Sequence, residues 1–157
     1  VIAMWATGAV SDGDIAYHQN SRGSSGTLSV VESAAEVRTY NGSSGFNTSW
    51  VTLPASNDID FFMEYAFPSG SDPATSWIGI GLSSSAGTMG IGQFYTGRGD
   101  KLKVEDRYLA TATSGRPDPN ANPSILDNSC AINGAVTTCQ FTRPIGATAD
   151  TQVRKSG

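Results

Sequence analysis

The chain has 157 residues, 38% of them hydrophobic and 18 of them glycine, so it fits a single domain over 1–157 and is long enough to bury a core. With 14 acidic residues against 10 basic, a net charge of −4 and no basic run, it argues against nucleic acid or an anionic membrane surface as partner. No apolar stretch is long enough to span a bilayer, so direct membrane insertion is not expected, and no window reads as a long amphipathic helix.

Glycine, Ser and Thr are instead spread between short apolar alternations, which predicts an all-β chain of nine or ten short strands, an antiparallel β-sandwich. Residues 1–8 read as a strand with Ile2 and Trp5 on opposite faces. Ser11-Asp12-Gly13-Asp14 reads as a turn, and Ile15 to His18 as a short strand carrying the only histidine. Asn20 to Gly26 reads as a loop, Leu28 to Val31 and Glu36 to Tyr40 as strands, and Asn41 to Thr48 as a Gly/Ser/Asn-rich stretch. The sequons Asn41-Gly42-Ser43 and Asn47-Thr48-Ser49 make Asn41 and Asn47 candidate N-glycosylation sites.

Ile59 to Phe67 places Phe61, Met63, Tyr65 and Phe67 on one face and Asp60, Phe62 and Glu64 on the other, a half-buried strand. Trp77 to Leu82 also alternates strictly, with Ile78, Ile80 and Leu82 opposite Trp77, Gly79 and Gly81. Strand glycines occur where a ligand or another backbone comes close, so the glycine face is expected to receive something flat. The polar run that follows carries a thioether, Met89. Filling a core gap is the commonest use of methionine, and a metal ligand is the alternative.

Lys101 to Tyr108 alternates Leu102, Val104, Asp106 and Tyr108 against Lys101, Lys103, Glu105 and Arg107, which predicts one wet face and an inward Asp106 in need of donors. We read Asp106 as structural, bonded to a loop. Residues 114–127, with Pro117, Pro119 and Pro123, cannot join a central sheet. Cys130 and Cys139 flank Asn133-Gly134-Ala135. A type I′ turn at Asn133-Gly134 would put the cysteines on a diagonal, whereas a type II′ turn at Gly134-Ala135 sets them face to face at a non-hydrogen-bonded pair; the second register predicts a disulfide. Disulfide and sequons together point to a secreted, extracellular setting.

The order Trp77-Ile-Gly-Ile-Gly-Leu-Ser83, Met89-Gly90, Asp106-Arg-Tyr108, a proline-rich loop and Cys139-Gln-Phe-Thr-Arg143 resembles the DOMON family, extracellular immunoglobulin-like β-sandwich domains. Several members hold b-type haem, among them the cytochrome domain of cellobiose dehydrogenase. The resemblance implies haem b with Met89 as one axial ligand. It implies His18 as the other, because Trp5-Ala-Thr-Gly8, Tyr17-His18 and Arg22-Gly23 match the family's late histidine segment. Trp77, Gly79, Gly81, Trp5 and Tyr65 are then expected to line the porphyrin, with Arg98, Arg107 and Arg22 as candidates for the propionates. A Met/His pair fills both axial positions, which suits electron transfer rather than oxygen activation.

The family order is broken in one respect: the histidine segment comes first here instead of last, and joining Gly157 to Val1 would restore it. The chain therefore resembles a circular permutant or one phase of a repeat. On that reading 1–23 is the haem-histidine segment, 24–49 a linker and 50–157 the sandwich core. A chain that begins at Val1 is expected to be processed or partial. The linker-like composition of 24–49 favours donation of 1–23 to a neighbouring identical subunit, giving a filament, over pairing in its own sandwich. The expected partner is that neighbour or a redox protein. Two other functions compete, a sugar- or ligand-binding module and a structural subunit without haem. Hydrolysis is the least expected, since no nucleophile, base and orienting residue converge.

Overall fold

Strict two-residue alternation along at least five segments decides the architecture, because each such segment can bury only one face. The computed structural model describes residues 2–16, 21–27, 38–41, 45–83, 92–109, 116–120 and 123–145. The described residues form β1 (Ile2–Ser11), β2 (Asp14–Ile15), β3 (Ser21–Thr27), β4 (Arg38–Asn41), β5 (Phe46–Leu53), β6 (Asp58–Ala66), β7 (Ser76–Ser83), β8 (Gly92–Arg98), β9 (Lys103–Leu109), β10 (Asp118–Pro119), β11 (Asp127–Asn133) and β12 (Val136–Pro144). They make two antiparallel sheets. One runs β10-β9-β8-β7-β1-β2 with β3 also on β1; the other runs β11-β12-β6-β5-β4. The chain is an all-β sandwich, as its alternation predicts.

The two inner faces carry the apolar halves of the alternating strands. Ile78, Ile80 and Leu82 of β7 and Trp5 of β1 meet Phe61, Met63 and Tyr65 of β6 and Phe141 of β12, all of them buried. Tyr95 and Phe141 stack with centroids 4.4 Å apart and Trp5 stacks on Phe46 at 5.0 Å, so aromatic pairs tie one sheet to the other, while Phe61 stacks on Phe141 at 5.0 Å within the five-stranded sheet. Fully burying one such side chain contributes roughly 1.5–3 kcal/mol.

The β11–β12 hairpin takes the predicted register. Asn133 pairs with Val136, Gly134 adopts φ 59°, and Cys130 pairs with Cys139 to form the disulfide, Cα–Cα 4.1 Å. Its sulfurs rest on Gly97 of the opposite sheet, where a Cβ would fall inside van der Waals distance of Cys139 Sγ. Gly97→Ala therefore overpacks this contact and should cost about 1–3 kcal/mol. Urea unfolding under oxidising conditions checks it; an unchanged midpoint would show that the contact is slack.

Several expectations need correction. Most of Asn20 to Gly26, read as loop, belongs to strand β3 (Ser21–Thr27), because its polar residues need only one neighbour, β1, at a sheet edge. The supposed linker 24–49 contains part of β3, all of β4 and the start of β5, where Phe46 and Thr48 are buried. Within segment 1–23, for which donation to a neighbour was favoured, the described strand β1 pairs in its own chain, lying between β7 and β3 from Ile2 to Thr7. Leu102 does not point inward; it sits in a turn at φ 51° and is half exposed. Arg107 and Glu105 do not lie on a wet face, for reasons that follow.

Candidate functional site

Outer face of the seven-stranded sheet

The register places the predicted porphyrin-lining residues on two different sides of one sheet. Trp77 pairs with Gly8, Gly79 with Ala6 and Gly81 with Met4, all on the outer face, whereas Trp5 pairs with Ile80 on the inner face and Tyr65 faces it from β6. The glycine face is indeed occupied by something flat, but by the chain's own rings. Trp77 lies over Gly8, where a Cβ would come 2.6 Å from its Nε1, and the Phe94 ring lies over Gly81, where a Cβ would meet it at 2.5 Å. Gly79 leaves only 3.0 Å between a Cβ and the Tyr95 carbonyl. On this face the residues do not fit a porphyrin. On the inner face Trp5 does offer a donor: its Nε1 is buried without a hydrogen-bond partner among the described residues.

Met89 and His18 lie outside the described residues. Their segments connect Ser83 of β7 to Gly92 of β8, and Ile15 of β2 to Ser21 of β3. β1 and β7 pair antiparallel from Ile2↔Ser83 to Ala9↔Ser76, so β7 leaves toward Met89 at the Ile2 end of β1, whereas the chain turns through β2 toward His18 at the other end. Trp77 ties the start of β7 to that turn. Its Nε1 donates to the Ala16 carbonyl at 3.1 Å, two residues before His18.

The turn after β1 folds over the same outer face. Arg98 of β8 and Arg107 of β9, each 1% exposed, point outward from the sheet and are covered by it. Asp14 accepts from Arg107 Nη2 at 2.5 Å and faces Arg98 Nη1 at 3.6 Å, Arg98 Nη2 donates to the Gly13 carbonyl at 2.9 Å, and Glu105 accepts from Arg107 Nη2 at 2.5 Å. Asp100 takes a fork from Arg98, at 2.9 and 2.6 Å, and Arg107 Nη1 donates to the Pro117 carbonyl at 3.0 Å, tying in the proline-rich segment. Arg98 and Arg107, candidates for propionate contact, are thus engaged by three carboxylates. Arg22 has no described side chain.

Those carboxylates are held ionised. Burial works against the charge on Asp14 and Glu105, but the Ile15 backbone N–H and Arg107 more than offset it for Asp14, as Lys101 and Arg107 do for Glu105, and both pKa values lie below the ordinary range. Asp100 is lowered chiefly by its hydrogen bond from Arg98, whose own pKa is raised in turn, chiefly by Asp100. Because the folded pKa of each carboxylate is depressed, its stabilisation is complete above the unfolded value of about 4 and is lost as pH falls through the folded value. The raised Arg98 value acts only at strongly alkaline pH. The urea midpoint should hold from pH 7 to about 5 and drop below about 4. Asp14→Asn should lower it at pH 7 and flatten the acid limb; parallel acid limbs in variant and wild type would remove Asp14 from the account.

Inside the sandwich

A second polar cluster, of which only Asp106 is legible as such in the sequence, lies between the sheets. Asp106 faces inward as predicted and is satisfied mainly by a loop: the Ser124 N–H and Oγ donate to Oδ2 at 2.7 and 3.0 Å, and Asn120 Nδ2 to Oδ1 at 3.3 Å. Gln93 Nε2 donates to the same Oδ1 at 3.4 Å while Gln93 Oε1 accepts from Arg143 Nη1 at 3.3 Å. Arg143, fully buried, also donates to the Tyr95 hydroxyl at 2.6 Å and sits 5.8 Å from the centroid of that ring. An amide thus couples a buried cation to a buried carboxylate. Arg143 shares the parity of Cys139 and Phe141 along β12, which was the available signal for its inward direction.

Asp106→Ala would strip the Ser124 N–H and Gln93 of their acceptor and leave Arg143 without its relayed counter-charge, a loss on the order of 3–5 kcal/mol. Chemical denaturation measures it directly. Among the described residues no group of three or more His, Cys, Asp or Glu could hold a metal ion. No family model, curated protein or solved structure matches the chain.

Proposed function

We propose that this chain is a DOMON-like b-type haem module, secreted, that passes electrons with His18 and Met89 as axial ligands. The observation that carries the reading is the β1–β7 pairing. In sequence the histidine segment stands at the wrong end for the family; in space Trp5-Ala-Thr-Gly8 lies directly beside Trp77-Ile-Gly-Ile-Gly-Leu. Adjacency of these two motif strands is what a permuted domain requires, and it needs no donated strand. The imidazole and the thioether suit low-spin haem iron, and haem so ligated supplies reversible one-electron transfer.

Trp77, Gly79 and Gly81 do not act as porphyrin walls in this reading. Trp77 and the Asp14 cluster hold the segment before His18 against the sheet whose β7 leads to Met89, and Trp5 offers a buried N–H, unpartnered among the described residues, to a polar edge of the ligand. The disulfide Cys130–Cys139 accords with the secreted setting.

Haem titration into the purified protein tests the reading. The expected result is a Soret band and a sharp reduced α-band in the wild type, lost or converted to a high-spin spectrum in His18→Ala and in Met89→Ala, with the far-ultraviolet β signature unchanged. A wild-type protein that shows no such spectrum with haem in excess, or two variants that match the wild type, would contradict it.

A further inference from the structure

The outer face of the five-stranded sheet carries mostly polar and small side chains, with one exposed aromatic ring. Successive rows across it read Asn41, Asn47, Glu64, Thr138; then Thr39, Ser49, Phe62, Gln140; then Val51, Asp60, Thr142, Asp127. Phe62, 39% exposed, is the one aromatic among the exposed large hydrophobic residues of the described chain. It stands in an open depression of about 310 Å³ lined on this face by Ser49, Val51, Asp60, Asp127, Gln140 and Thr142. A single aromatic ring set among hydrogen-bonding side chains on a sheet face suits a ligand with one apolar face and a rim of hydroxyls, which is the chemistry of a pyranose ring.

The sequon residue Asn47 shares this face. Ser49 is directly opposite Phe62, so Asn47, two residues earlier, is its diagonal neighbour, roughly 7–8 Å away between Cα atoms. That is within reach of the first sugar on an Asn side chain. Thr48, the central sequon residue, points the other way; its Oγ1 donates to the Phe62 carbonyl at 2.8 Å and fixes the two strands at this point. Asn47 Nδ2 reaches Glu64 Oε1 at 3.5 Å, and a glycosylated amide keeps one N–H for that contact. Asn41, the other sequon residue, is directly opposite Asn47 but one strand farther from Phe62.

We propose that Asn47 carries an N-linked glycan whose first N-acetylglucosamine lies over Phe62, at the edge of the depression. The donor is a lipid-diphosphate-linked oligosaccharide: the bond between sugar C1 and the phosphate oxygen breaks, C1 bonds to Asn47 Nδ2, the amide gives up one proton, and the lipid diphosphate leaves. The inference rests on the secretory setting, independently of haem. It explains why this mostly polar sheet face carries an exposed phenyl ring.

The test is expression of the chain through a mammalian secretory pathway, with peptide mass spectrometry for occupancy and proton NMR of the attached glycan. The expected result is a glycan at Asn47, with the protons of its first sugar shifted upfield by the Phe62 ring current and showing NOEs to that ring. Phe62→Ala should keep the glycan and lose the shift, Asn47→Gln should abolish both, and Asn41→Gln should leave the Asn47 signals in place. An unmodified Asn47, or a modified one whose first sugar has the same shifts in wild type and Phe62→Ala, would overturn the proposal. Loss of the shifted signals in Asn41→Gln but not in Asn47→Gln would overturn it too.

Discussion

Two arginines stand on the outside of a sheet and are nevertheless buried, and the arrangement of the seven-stranded sheet depends on how their charge is met. Arg98 and Arg107 come from neighbouring strands at the far side of β7, and Asp14 reaches them from the turn that follows β1. A buried guanidinium left without its carboxylate is strongly destabilising, so the turn at 12–16 is held down across β7. Trp77 lies over Gly8, its indole N–H engaged by Ala16. One electrostatic clamp therefore fixes the order of β1 beside β7 and the entry to the segment that carries the histidine.

The inner side of β8 and β9 shows the same logic in another form. Residues of one parity, Arg98 and Arg107, serve the outer cluster; residues of the other, Gln93, Tyr95 and Asp106, serve the inner one with Arg143 and Ser124. A slip of β9 by one residue against β8 would put Arg107 in the core and Asp106 in the ion-pair cluster. Two opposed polar networks thus specify register more strictly than an apolar alternation alone. The aromatic stack of Tyr95, Phe61 and Phe141 then closes the sandwich around the inner network.

Period-two alternation was enough to read the strands that face the core, such as β6 and β7, and turn chemistry at Gly134-Ala135 was enough to read the disulfide register, because both are local. Edge strands such as β3 were not legible: a Ser/Gly-rich strand looks like a loop until a neighbour satisfies its backbone. The burial of Arg107 was hidden for a related reason. Alternation tells which residues share a face, but not that a turn 93 residues away in sequence, at Asp14, covers that face. The glycines of β7 signalled a close approach correctly, and the identity of what approaches, Phe94 for Gly81, depends on a pairing that no local pattern contains. The assignment of Met89 and His18 as a ligand pair comes only through family resemblance, since each is an isolated residue in a polar stretch.

The central claim is that the segment ahead of His18 is paired with β7 of its own chain. Isotope-filtered NOE spectroscopy on an equimolar mixture of labelled and unlabelled protein tests it directly. Antiparallel pairing of Trp5 with Ile80 and Thr7 with Ile78 predicts cross-strand NOEs between β1 and β7. Our account predicts those NOEs in uniformly labelled protein and their absence from the filtered spectrum of the mixture. Their appearance in the filtered spectrum would mean that β1 completes the sheet of a neighbouring molecule, and would contradict the account.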